Sequence, residues 1–164
     1  MNIKNNKIVS VLFSAVILMS CTKQDIGPLT DNKPKIAVTV QNAADYRPEP
    51  TVTTALSGTG AIQIVLSIPA SSGRTIKEIT KVAANTTYSQ IQGSTGLYTS
   101  TPIAGSGTTV TFNTSLTEYF AKKPVSASNP AAKVNTELAN RFYFLVTLDD
   151  GSVIIPESVR VLVL

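Results

Sequence analysis

The chain of 164 residues is predicted to be all-β, an antiparallel sandwich of about seven strands with one short helix. Three observations predict this. Apolar residues recur at every second position in run after run, and successive strand side chains face opposite sides, so each run offers one apolar face to a core. Clusters of Gly, Pro, Asp and Ser punctuate the runs. Only one stretch, Ser115 to Lys122, carries clear helix start and stop signals.

The runs follow in order. Ile36, Val38 and Val40 alternate with Ala37 and Thr39. Ile62, Ile64, Leu66 and Ile68 alternate with Gln63, Val65 and Ser67. Val110 and Phe112 alternate with Thr109, Thr111 and Asn113. Phe142, Phe144, Val146 and Leu148 alternate with Tyr143, Leu145 and Thr147, and Val159, Val161 and Val163 with Ser158, Arg160 and Leu162. The mixed-to-polar second face fits antiparallel sheets with one wetted side.

The connections agree. Asp149-Asp150-Gly151 lies between two apolar runs and reads as a hairpin of type I′. Pro102 to Gly107 is a loop, and Pro156 marks an edge position or a bulge in the last run. Ser115-Leu116-Thr117-Glu118 is a capping box, in which Ser115 and Glu118 satisfy each other's free N–H groups. The helix it opens stops at Pro124, and Pro124 to Thr136 is a long loop. Thr75 to Ala84 reads both ways: Ile76, Ile79 and Ala83 have helical spacing, whereas Ile76, Thr80 and Val82 suit a strand, which the β-branched content favours.

The late aromatic strand, Arg141 to Leu148, followed by a final strand, Ser152 to Val163, resembles the closing hairpin of immunoglobulin-like and fibronectin type III-like domains. The resemblance implies that residues 35–164 form one such domain; it implies a fold and no activity.

Residues 1–20 have a different character. Lys4 and Lys7 precede an apolar stretch from Ile8 to Met19, and Ser20 and Cys21 follow. A basic start, an apolar centre and a small residue before a cut are marks of a secretory signal. The apolar stretch is short of the ~20 residues that span a membrane. Leu18, Ser20 and Cys21 resemble the lipobox of bacterial lipoproteins, which implies cleavage before Cys21 and acylation of its thiol. Two or three acyl chains, at about 0.8 kcal/mol per buried CH₂, hold a protein on a membrane almost permanently. Thr22, where an Asp retains lipoproteins in the inner membrane of the best-known sorting system, favours the outer membrane of a cell envelope. Residues 21–34, polar and carrying Gly27, Pro28 and Pro34, read as a flexible tether. As a coil it spans roughly 20 Å, and fully extended at most ~45 Å.

Removing residues 1–20 leaves 144 residues, with 12 basic and 10 acidic side chains. The charge is scattered, and Lys122-Lys123 is the only basic pair, so no nucleic-acid footprint is expected. Cys21 is the single cysteine, so an acylated chain has no thiol, no disulfide and no Cys-based metal site.

There is no His, which removes Ser-His-Asp and Cys-His catalysis and most zinc sites. No phosphate-binding loop or nucleophile elbow occurs. Carboxylate pairs remain as catalytic candidates, but Glu118 reads as a helix cap, Asp149 and Asp150 as turn residues rather than calcium ligands, and Glu78, Glu137 and Glu157 show no partner. No metal or cofactor is expected.

Sandwich domains carry function on their connections. Ala84 to Leu97 is the connection richest in amides and hydroxyls, with tyrosines at its margins and no charge. The candidate binding residues are therefore Asn85, Tyr88, Gln90, Gln92 and Tyr98, and the alternative is a polar loop with two half-buried tyrosines. The expected function is a non-enzymatic, membrane-anchored binding or structural module with an envelope protein or glycan as partner. The lipobox with a sandwich resembles small envelope lipoproteins of polysaccharide-degrading Gram-negative bacteria. A direct carbohydrate-binding module and, more remotely, a carboxylate-only hydrolase are the alternatives.

Overall fold

The computed structural model describes residues 34–164. The signal, Cys21 and all of the tether except Pro34 lie outside the described residues. Among the described residues the strands are β1 (Thr39–Val40), β2 (Thr51–Thr54), β3 (Ala61–Ser67), β4 (Ile76–Asn85), β5 (Ile103–Ala104), β6 (Thr109–Ser115), β7 (Thr136–Glu137), β8 (Arg141–Leu148), β9 (Val153–Ile154) and β10 (Arg160–Val163). Helix α1 spans Leu116–Lys122, and Ser89–Gln92 forms a single α-helical turn.

One layer is β1-β3-β6, antiparallel throughout. The other combines β5-β4-β8-β9 with β2-β10-β7. Phe142 and Val159 join these groups by exchanging two backbone hydrogen bonds of 2.9 Å, and Leu138 N–H donates to the Val161 carbonyl at 2.9 Å. β7 and β8 are thus successive parts of one line, and β9 and β10 are parts of the line opposite. The predicted closing hairpin is present, and the chain between Ile154 and Val159 bulges out of it at Pro156, which has no N–H to contribute to the ladder. β2 completes the layer by pairing parallel with β10. The all-β sandwich has β3 beside β6 in one layer and β4, β8 and β10 neighbouring in the other.

The Asp-Gly hairpin differs in turn type. Among its residues only Gly151 has positive φ, at 81°, and Gly151 N–H donates to the Leu148 carbonyl at 3.1 Å. This is a type I turn followed by a left-handed Gly, not type I′. Arg74 lies 3.0 Å from Asp150, and Asp149 accepts from Thr75 N–H at 3.3 Å. The Ser152 hydroxyl and amide, bonded to Asp150, hold its carboxyl below the ordinary range. Both aspartates serve the turn.

Thr75 to Ala84 is strand, and the structure explains its double reading. Ile76, Ile79 and Val82 lie opposite Leu148, Val146 and Phe144, with register shifts between Ile76 and Glu78 and between Ile79 and Lys81. Each shift puts two residues of β4 against one of β8. The inward residues Ile76, Ile79 and Val82 are therefore three apart while those of β8 are two apart, and Ala83, the third residue of the helical reading, joins the outer cluster with Ile91 and Tyr143. That spacing of three is what imitates a helix.

Between the layers lie Ile62, Ile64 and Leu66 of β3, Val110 and Phe112 of β6, and Phe142, Phe144, Val146 and Leu148 of β8, all buried. Leu116 and Tyr119 seat α1 on this core, with Phe120 at its margin. Gly60, at φ 58°, passes close beneath Leu116; a Cβ there would lie 2.6 Å from the Leu116 side chain. The capping box forms by half: Ser115 Oγ accepts from Glu118 N–H at 3.1 Å. The Glu118 carboxylate turns to Lys122 at 2.8 Å and to the Thr114 hydroxyl at 2.9 Å instead of reaching back. Lys122 is no freely solvated helix end, since its ammonium sits 4.4 Å over the Tyr98 ring.

Candidate functional site

The connection after β4 does not extend into solvent. Asn85 Oδ1 accepts from Thr86 N–H at 2.7 Å, and Asn85 Nδ2 donates to Gln90 Oε1 at 3.2 Å. These bonds bend the chain back over the outer face of β4 and β8. Ile91, fully buried, packs there against Ala83 and Tyr143, with Leu97, Leu145 and Ile155 at the margin. A second, small apolar cluster is thus built on the side of the sheet away from the main core.

The folded-back connection and the bulge at Pro156 form two sides of a hollow of about 700 Å³. Tyr143, Ile155 and Pro156 give it an apolar lining, Thr86 and Thr87 bring hydroxyls, and Tyr88, 57% exposed, stands at the rim. Glu49 and Arg141 line it as well.

Glu49, held between Pro48 and Pro50, links three segments. Its Oε1 accepts from Ser158 Oγ at 2.6 Å and from Arg141 Nη1 at 3.2 Å. Its Oε2 lies 3.1 Å from Arg141 Nε and 3.3 Å from Arg160 Nε, contacts of charge without hydrogen-bond alignment. Arg160 also reaches Glu137 at 3.0 Å. Two carboxylates and two guanidiniums therefore cancel. The cluster ties the segment before β2 to the starts of β8 and β10. Among the described residues no three potential ligands group to hold a metal ion.

The five candidate residues separate. Tyr88 is exposed at the hollow. Asn85 and Gln90 hold the connection in shape through their mutual hydrogen bond, and Gln92 is exposed at the end of the helical turn. Tyr98 does not lie with them. It is 4% exposed, edge-on to Phe112 at 5.9 Å and to Phe142 at 5.3 Å, and its hydroxyl bonds Thr114. Its ring fills core space, and burial pushes its phenol up to about 12. The reading of two half-buried tyrosines fails equally, because one is exposed and the other is in the core.

Sequence reasoning missed Glu49, Arg141 and Tyr143. Glu49 and Arg141 are 92 residues apart, and Tyr143 reads as one more outward residue of an alternating strand. The Pro-Glu-Pro setting of Glu49, a charge fixed on a stiff segment, was the one available signal.

Comparison of the chain with protein-family models, with curated proteins and with solved structures finds no match.

Proposed function

We propose that the chain is an envelope lipoprotein, anchored through an acylated Cys21 and favouring the outer membrane, whose sandwich domain binds a partner without catalysis. The observation that carries the binding reading is the outer-face hollow, where an exposed tyrosine stands over apolar lining beside a neutralised charge cluster. Such a mixture of apolar wall and few fixed polar groups is the ordinary make-up of a ligand site.

Two experiments test this. Wild type should incorporate labelled palmitate and Cys21→Ala should not; a wild type without label overturns the anchor. Acylation also leaves no free thiol, so Glu157→Cys, exposed between the lining residues Pro156 and Ser158, accepts one environment-sensitive dye beside the hollow in the full chain. Titration in detergent with solubilised envelope, and with soluble starch, xylan, mannan and β-glucan, should change its emission, while dye on Lys77→Cys at the far end of β4 stays constant. Silence at Glu157→Cys towards every material overturns the binding reading.

A further inference from the structure

We infer that the hollow takes a neutral, polyhydroxylated chain, an oligosaccharide, with one sugar ring lying against Tyr88. This rests on the binding reading above and adds the chemical class of the ligand.

Four observations carry it. The charges that line the hollow are already matched. Glu49 is bound by Arg141, Arg160 and Ser158, and Arg160 also by Glu137. An anionic or cationic ligand would find no unmatched countercharge there, so the cluster selects against charge rather than for it. Second, Tyr88 exposes a ring at the rim next to the lining side chains of Tyr143 and Pro156. Sugar rings have faces of C–H groups, and a flat, rigid aromatic surface matches such a face at low entropic cost. Third, the polar groups present suit hydroxyls. Arg141 commits Nε and Nη1 to Glu49, which leaves Nη2 without a partner among the described residues and able to donate. The Thr86 hydroxyl, donating to Asn85 Oδ1 at 3.4 Å, keeps its acceptor capacity, and the Thr87 hydroxyl, shared with Ser89 at 3.2 Å, can donate or accept. A sugar hydroxyl does both, so each can be satisfied without an ion.

The fourth observation concerns length. A smaller hollow of about 310 Å³ shares Thr86 and is lined by Asn85, Ser126, Ser128 and Asn140 and by Lys122 and Lys123, of which Lys122 is paired with Glu118 at 2.8 Å. A compact ligand fills one of the two hollows, whereas a chain crossing Thr86 reaches hydroxyls in the first and both amides and hydroxyls in the second. The geometry therefore favours a chain over a single sugar.

The test uses the dye at Glu157→Cys in the full chain. Material that changes its emission should keep its effect after exhaustive protease digestion. It should lose the effect after periodate, which cleaves vicinal diols. Within one neutral sugar series, longer chains should bind more tightly than the disaccharide. Tyr88→Ala should weaken binding about tenfold, the scale of losing one aromatic contact, and Tyr88→Phe should retain it because the ring is what is used. A response destroyed by protease and indifferent to periodate overturns the inference while leaving the binding reading intact. Equal affinity for disaccharide and long chain overturns the two-hollow part. Silence towards every material defeats the binding reading itself.

Discussion

On the inner face of β4 and β8, Val82, Phe142 and Phe144 meet Phe112 of β6 and the Tyr98 ring, all buried. On the outer face of the same strands, Ala83 and Tyr143 meet Ile91, with only partly buried neighbours around them. Both faces come from one alternation, yet one is closed by a second layer of sheet and the other by a single folded-back connection. The difference lies in what covers each face. A sheet seals its partner along its length. One helical turn covers only a patch, and beside the patch it leaves the hollow. Stability should therefore concentrate on the inner face and binding on the outer.

Substitutions should divide along that line. The largest cost is expected for Phe144→Ala, about 3–5 kcal/mol by chemical denaturation, as for buried aromatic truncations generally. Ile91→Ala should cost less, about 2 kcal/mol, the lower end for a buried aliphatic truncation, because its cavity opens towards the surface and can relax. It should also release the connection that shapes the hollow, so ligand affinity should fall with it. Equal costs at Ile91 and Phe144 would erase the distinction between the faces.

Tyr98→Phe comes next, at about 1 kcal/mol for a lost buried hydrogen bond. Thr114 uses its one hydroxyl proton on Glu118, so the Tyr98 hydroxyl donates to Thr114. The same substitution should alter the alkaline limb of stability. The folded Tyr98 holds its proton to about 12, whereas the unfolded chain releases it near 10. The unfolded state thus binds fewer protons between these values, and stability present below pH 10 falls as pH rises towards 12. Tyr98→Phe should flatten that part of the profile in urea melts taken at stepped pH. The smallest effect belongs to Tyr88→Ala, within about 0.5 kcal/mol of wild type, as for exposed residues generally.

Where the chain alternates strictly, the sequence was legible. β3 and β8 face as read, and Ile64 and Phe144 are both fully buried. β4 was harder because its two bulges convert a period of two into one of three, a change imposed by pairing with β8. Tyr88 and Tyr98 illustrate the limit at the candidate site. Both flank the same amide-rich connection, and nothing local separates them. Ile91 folds that connection onto the sheet and the backbone pairing of Tyr98 and Thr99 with Val82 draws the second tyrosine inward. The Glu49 cluster was illegible for a related reason, since its members come from three distant segments that meet only when β2, β8 and β10 share a layer.

The account turns on Tyr88 serving binding and not folding. The most direct measurement takes Tyr88→Ala in the full chain carrying the Glu157→Cys dye and reads its denaturation midpoint and its titration on the same sample. The account predicts an unchanged midpoint and about a tenfold loss of affinity. A folded Tyr88→Ala that binds as wild type would contradict it.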